Sequence, residues 1–236
     1  MTNKKSLLKL DKIPITDQIY VVNPSVSTVL DDERGYYQRA SLLTSTPYGM
    51  RVQLDDKGID CDKVSEFELF TWIIKGWTTE DLINILDGVN PEKLEFYTRG
   101  ENHEPVLYDP ESHVMIDAQI SALIADTLRK INGFTKVVGH VGAEASRAYL
   151  MEVERDRLER EAKKPYKPFL EELVIAMVNN RDFPYDYDGA LAQSLFRFNA
   201  SVPQIQKLKI YEQTMAGLYA GTIDGKRIDM KEINWI

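Results

Sequence analysis

The feature that most constrains how this chain can fold is a short segment with two prolines, Lys164-Pro165-Tyr166-Lys167-Pro168. Proline fixes φ and has no N–H, so two prolines within four residues end a helix and make a stiff connection. We therefore predict a boundary here. The predicted units are a mixed α/β domain over 1–142, a charged connecting helix over 143–164 and a C-terminal helical domain over 165–236.

The composition is that of an ordinary globular protein. With 236 residues, 43% of them apolar, the chain can form one large domain or two small ones. The single cysteine, Cys61, excludes an internal disulfide and suits a reducing compartment. Apolar runs are shorter than the ~18 residues of a membrane span, and Lys9 and Asp11 interrupt the start too early for a signal peptide. We expect a soluble protein that is not exported.

The charge is unevenly distributed. The formal net charge is −8, which argues against non-specific nucleic-acid binding because that requires a basic face. Residues 1–118 carry 12 basic and 21 acidic side chains, a net −9, whereas residues 119–236 carry 17 and 16, a net +1. This asymmetry indicates two differently charged surfaces, which suit different partners.

The residue patterns predict a mainly α protein with a small β portion, of the α+β class. In the N-terminal part we expect a strand over 13–22 and a helix capped by Ser25 or Ser27 that reaches Leu43. Ser65 and Glu68 form a capping-box pattern at the start of an apolar helix. Another short helix is expected over 78–86.

The middle of the chain predicts an insertion of short strands over 92–117. Within it, 94–98 and 105–108 should form a hairpin and 114–117 a third strand, followed by a helix over 118–131. The charged helix over 143–164 has only a thin apolar stripe. It is either a solvated helix held by i,i+4 ion pairs, or a spacer or a helix that docks on a partner.

The segment after Pro168 predicts a C-terminal three-helix unit. Its first helix should cover 169–179, and its second should be capped by Asp188 and run through Phe198. Ser201 before Pro203 indicates the start of the third, with proline in the first turn.

Motifs that carry catalytic chemistry are absent from the sequence. His103, His113 and His140 lack the spacing of a zinc site, although a weak metal site in the acidic loops of 92–117 stays an alternative to a solvated loop. The glycines of 138–143 match no phosphate-binding loop. Four nearby carboxylates lack the spacing of a calcium loop: Asp55, Asp56, Asp60 and Asp62. We expect a protein without catalytic residues, cofactor or metal.

Two stretches resemble a known group of proteins. Leu42–Asp60 and Met215–Ile228, together with the closing Ile233-Asn234-Trp235-Ile236, are similar to proteins encoded in the tail and baseplate modules of phages and prophages of Gram-positive bacteria. The resemblance implies a virion component or tail-assembly factor, made in the cytoplasm of the bacterial host. Its expected partners are other phage tail proteins, with self-association left open, and neither nucleic acid nor membrane. The alternative is a cytosolic phage-encoded adaptor or regulator that binds a host protein.

Aromatic and large aliphatic side chains near the C-terminus are the expected contact residues, because they bury much area with few rotatable bonds. The apolar tail packs either on its own three-helix unit or on a neighbouring protein. The interface candidates are Trp235, Ile236, Tyr219, Ile233, Tyr185 and Tyr187.

Overall fold

The computed structural model describes residues 7–139, 144–224 and 228. It confirms a mainly α member of the α+β class, with small antiparallel sheets. The helices, in chain order, are α1 Val26–Asp31, α2 Glu33–Leu43, α3 Arg51–Asp55, α4 Glu66–Lys75, α5 Ala118–Asn132, α6 Glu144–Ala162, α7 Leu170–Val178, α8 Tyr187–Ala192 and α9 Leu195–Tyr219. The strands are β1 Lys12–Pro14, β2 Tyr20–Val22, β3 Leu86–Asp87, β4 Glu95–Arg99, β5 Glu104–Tyr108 and β6 Met115–Ile116.

The first sheet has the order β1-β2-β3, and it corrects the prediction of one strand over 13–22. The chain turns back between β1 and β2, where the N–H of Ile15 donates to the carbonyl of Ile19 at 2.9 Å. Thr16 Oγ1 accepts the N–H of Ile19 and closes the turn. The two strands pair antiparallel with Ile13 opposite Val21, and both of these side chains are fully buried.

The helix predicted over 78–86 is also wrong. Only a 3-10 turn, Glu80–Leu82, forms there, and the chain then enters β3. Leu86 lies opposite Val21 in the sheet, and the carbonyl of Ile85 accepts the N–H of Val22 at 2.9 Å. Burial of this apolar segment against β2 therefore outweighs its local helical pattern.

The helix predicted from Ser25 to Leu43 is two helices. Ser25 caps α1, as expected, and accepts the N–H of Thr28. Asp32 then breaks the run with φ −147° and ψ 62°, and its side chain caps α2 by accepting the N–H of Gly35. The capping box at α4 is confirmed, since Ser65 and Glu68 bond each other's backbone N–H.

The second sheet confirms the predicted hairpin and third strand, in the order β4-β5-β6. The helix that follows is also confirmed. Asp117 accepts the N–H groups of Gln119 and Ile120 at the start of α5, and Gly133 ends it in the left-handed conformation with φ 68°.

One hydrophobic core joins elements from both sides of the predicted boundary. It includes Val21 of β2, Tyr36 of α2 and Leu128 of α5, and also Leu170 and Phe198 of the C-terminal segment. Backbone hydrogen bonds also join the two sides of the predicted boundary. The N–H of Leu195 donates to the carbonyl of Pro24 at 2.7 Å, and the N–H of Val26 donates to the carbonyl of Gln193 at 2.9 Å. The division into domains stays a prediction, but the C-terminal helices pack directly on the N-terminal elements.

Glu33 ties the proline segment to this core. It is the first residue of α2 and is only 6% exposed. Its Oε1 accepts the hydroxyl of Tyr166 at 2.8 Å, the N–H of Phe169 at 2.9 Å and the N–H of Leu170 at 3.4 Å. Phe169, at the N-cap of α7, provides no side-chain cap of its own. A carboxylate more than 130 residues earlier in the chain therefore caps this helix.

The C-terminal segment does form three helices, but their bounds differ from those predicted. Asp186, rather than Asp188, caps α8, and α8 ends at Ala192. α9 starts at Leu195 and runs through Pro203, where a new helix was expected. Phe198 and Ile205, one on each side of the proline, are both buried, so packing against the core holds the helix continuous.

The part of the chain that the structure describes contains no helix with the length and apolar character of a membrane span.

Candidate protein interaction surface

An apolar groove lies where α1, α7 and α8 meet. Its volume is about 540 Å³. Val174 forms its buried floor, whereas Ile175 and Tyr187 are 46% and 48% exposed. The lining side chains are Leu30, Glu171, Val174, Ile175, Tyr187 and Leu191. Four of these six side chains are aliphatic, so the groove is suited mainly to apolar side chains.

Local structure explains why Tyr187 lies at the groove. Phe183 is buried against Phe198, with their ring centroids 6.1 Å apart, and this contact anchors the turn before α8. Tyr185 packs on Phe183 at 5.4 Å. Asp186 then caps α8 through the N–H of Gly189 at 2.8 Å, which makes Tyr187 the first residue of the helix.

The predicted interface residues are only partly brought together. Tyr187 lines the groove, and Tyr185 lies two residues earlier, 47% exposed. Tyr219 is 84% exposed at the end of α9 and is not among the lining residues. Ile233, Trp235 and Ile236 lie outside the described residues, so the predicted packing of the apolar tail stays a prediction.

The charged helix α6 docks on the N-terminal part of the chain through a second hydrophobic cluster. Met151 is 2% exposed and packs with Val52 and Leu54 of α3 and with Cys61. The stretch 42–60 therefore forms a cradle for α6. Sequence reasoning missed this contact because the apolar positions of the two partners are far apart along the chain.

Ion pairs at the edge of this cluster fix the register of α6. Arg155 bonds Asp55 at 2.6 Å and Asp56 at 2.7 Å, and Arg51 lies 3.2 Å from Glu154. A hydrogen bond from Arg157 and the charge of Arg51 hold the pKa of Glu154 below its usual range. Elsewhere, the helix carries the expected local ion pairs, such as Arg157 with Glu161 at 2.8 Å. The local ion pairs fit the first interpretation of α6, whereas its apolar stripe packs on its own chain. Docking of α6 on a partner stays a prediction.

The acidic and histidine-containing loops are accounted for by local structure. The atoms with which Asp60, Cys61 and Asp62 could bind a metal ion lie within 4.8 Å of one another. Asp60 also caps the 3-10 turn Cys61–Lys63, because its side chain accepts the N–H of Asp62. His113 Nδ1 shares a hydrogen bond of 2.6 Å with the hydroxyl of Tyr108. Neither His113 nor His103 belongs to a potential metal-binding group among the described residues.

A second cleft, of about 690 Å³, lies between the first sheet and the loop before β6, and the sequence did not predict it. Its charged groups are paired internally: Lys12 lies 2.7 Å from Asp87, and Lys93 bonds Glu111. Asp109 accepts the hydroxyl of Ser112 at 2.6 Å, which lowers the pKa of that carboxyl. Two lysines and three carboxylates line the cleft, a net −1, and both lysines are already paired with a carboxylate.

Comparison with known proteins places the groove in a recognised segment. Residues 162–236 match the family model of the YomV second domain. This is a phage-derived domain, so the match supports a phage origin for the chain. The YomV-matched segment contributes every groove residue except Leu30. It covers 75 of the 236 residues, and no curated protein and no solved structure matches the chain.

Proposed function

We propose that this protein is a non-enzymatic structural or assembly protein of a phage tail and acts through protein–protein contacts. The observation that carries the proposal is the apolar groove with exposed Ile175 and Tyr187 in the segment that matches a phage-derived domain. Exposed aliphatic and aromatic side chains around a concave surface are typical of protein contact sites, and tyrosine is enriched among the residues that dominate binding energy.

The chemistry of the lining favours one kind of occupant over another. A small-molecule pocket usually contains several convergent polar groups that orient its ligand. The polar side chains of this groove are Glu171 and Tyr187, and the latter accepts a hydrogen bond from Asn179 Nδ2 at 3.3 Å. We propose that the occupant is an amphipathic helix of another tail protein, which places its apolar face in the groove and a basic residue near Glu171.

Two measurements test this function. Mass spectrometry of purified phage particles and of tail-assembly intermediates should detect the chain in one of them. Affinity purification of the tagged chain from phage-producing cells should recover an identified tail protein, and Tyr187→Ser should reduce that recovery about tenfold or more.

Tyr149→Ser is the matched control, because it removes a tyrosine that is 69% exposed, lies outside the groove and is not an interface candidate. Equal losses for Tyr187→Ser and Tyr149→Ser would argue against the groove as the contact site. Absence from particles and intermediates, together with recovery of a host protein alone, would refute the tail function and favour the phage-encoded adaptor.

A further inference from the structure

β4 is an exposed edge strand. It forms one side of the β4-β5-β6 sheet, and all five of its residues are exposed. Phe96 is 62% and Tyr97 42% exposed, although they belong to the same hairpin as the buried Val106 and Leu107. Natural edge strands are usually protected by charged side chains, especially lysine, by proline or by a covering element. β4 contains no proline or lysine, and its two charged residues, Glu95 and Arg99, lie only at its ends.

The pairing register shows which backbone groups lie at this edge. Thr98 is opposite Pro105, which has no N–H, so this must be a pair without mutual hydrogen bonds. Because the two kinds of pair alternate, Phe96 is also in a pair without mutual hydrogen bonds. The backbone N–H and C=O groups of Phe96 and Thr98 therefore face away from β5. The hydrogen bonds between β5 and β6 agree with this assignment, because the N–H of Asp109 donates to the carbonyl of Val114 at 2.9 Å. By alternation, the backbone groups of Leu107 and Pro105 also face β6, and therefore they do not bond β4. Among the described residues, no turn, loop or cap hydrogen bond involves the backbone of Phe96 or Thr98.

The strand sequence Glu95-Phe96-Tyr97-Thr98-Arg99 is self-complementary when it is paired with itself in the antiparallel direction. With Tyr97 at the centre, Glu95 lies opposite Arg99 of a second copy at both ends. Phe96 then lies opposite Thr98, and these are the residues whose backbone groups are free. Moving the centre to Thr98 would place Glu95 opposite Glu101, which is repulsive.

We propose that β4 pairs antiparallel with β4 of a second copy of this chain, across a two-fold axis at Tyr97, to form a continuous six-stranded sheet. The four backbone hydrogen bonds come from Phe96 and Thr98 of each copy. The two Tyr97 side chains face each other directly, and the two Phe96 rings become diagonal neighbours on the opposite face. Such a two-fold contact is closed, so it produces dimers and not fibres.

The existing contacts of the strand are compatible with this pairing. Arg99 lies 3.3 Å from Asp117 and 3.7 Å from Glu104 within its own chain, but it remains half exposed. A guanidinium has five N–H donors, so it can bond a further carboxylate. Glu95 accepts the hydroxyl of Tyr97 at 2.7 Å and keeps capacity for another donor.

A five-residue edge buries less area than a standard interface, so the dimer should be weak, with a Kd on the order of 100 µM. Disulfide trapping in a Cys61→Ser background tests the register. Tyr97→Cys should crosslink under mild oxidation, because a directly opposite pair without hydrogen bonds has a Cα separation of about 4.5 Å. Thr98→Cys should not, because the two copies of residue 98 are diagonal and lie about 7–8 Å apart or more.

A charge exchange tests the same register without cysteines. Glu95→Arg and Arg99→Glu, each alone, create two like-charge pairs and should raise the Kd about tenfold. Mixing the two variants should restore association, because the hetero pair has an opposite charge at both ends. Glu101→Arg makes the same charge change at the tip of the hairpin and is the control, with no loss expected. Sedimentation equilibrium measures the dimer Kd of the two single variants, of their mixture and of the control.

Three results would overturn the inference: a monomer at 1 mM (about ten times the expected Kd), equal crosslinking of both cysteine variants, or no rescue on mixing. The inference concerns the purified chain alone. Its failure would therefore leave the proposed tail function untouched, and recovery of a tail protein through the groove would not support it.

Discussion

The bond network of Glu33 allows a quantitative prediction, because this buried carboxylate holds the proline segment against α2. Hydrogen bonds to a charged acceptor contribute about 1.5–3 kcal/mol each, and a favourable charge at a helix N-terminus about 0.3–1 kcal/mol. The Phe169 N–H bond at 2.9 Å should contribute most. Tyr166 can bond water instead, because it is 41% exposed, and the Leu170 distance of 3.4 Å is long. Glu33→Ala should therefore lower the free energy of unfolding by about 3 kcal/mol.

Urea unfolding followed by circular dichroism measures this change, and Glu33→Gln separates charge from geometry. Glutamine keeps an acceptor oxygen but loses the charge, so it should cost about half as much as alanine. Glu172→Gln is the control, because this carboxylate lies in the first turn of the same helix but is exposed. The reasoning is refuted if Glu33→Ala costs less than about 1 kcal/mol, or no more than Glu172→Gln.

The same contact predicts a dependence on alkaline pH. Burial and the hydrogen bond to Glu33 raise the pKa of Tyr166 to about 12. A pKa above that of the unfolded chain, about 10, means that this stabilisation is complete below pH 10 and is lost as the pH rises towards 12. Tyr166→Phe should therefore weaken the loss of stability over this window. An unchanged alkaline transition in thermal unfolding would show that Tyr166 does not contribute to it.

Two further predictions concern local backbone structure. Gly88→Ala should lower the free energy of unfolding by about 3 kcal/mol or more, because φ is +83° and a Cβ would overlap the carbonyl of Gln18. Gly133→Ala is the control and should lower it by only about 1 kcal/mol, because φ is +68° but the space around a Cβ is open. Similar values from thermal unfolding would contradict the overlap. Ser65→Ala should cost about 1 kcal/mol at neutral pH, because it removes the cap of α4. Hydrogen bonds from Ser65 lower the pKa of Glu68. The stability lost in Ser65→Ala should therefore become smaller as acid protonates Glu68. A loss that does not change with pH would exclude this coupling.

Elements with strong local signals were predicted well. The capping box at Ser65, the hairpin of β4 and β5, and α5 between Asp117 and Gly133 each depend on residues close together in sequence. The errors occur where distant contacts compete with local preference. Pro203 indicated a helix start, yet α9 continues through it because the residues on both sides are buried in the core.

The candidate surfaces show the same limit. Tyr185 and Tyr187 could be proposed as contact residues from their chemistry, but the groove beside Tyr187 needs Leu30, which lies over 150 residues earlier. The charge pattern of β4 was readable in the sequence. That its edge is free, and which of its backbone groups face outwards, required the register against Pro105.

The amino-acid sequence by itself determined the α+β class, most helix and strand segments, and the acidic and near-neutral parts of the chain, because these follow from neighbouring residues and from composition. Only the tertiary structure decided that Glu33 caps α7, that 42–60 forms the cradle for α6 and that the C-terminal helices share one core with the first sheet. These contacts join residues roughly 100 or more positions apart. Many chain arrangements satisfy the same local preferences, and burial of apolar surface together with pairing of buried polar groups selects among them.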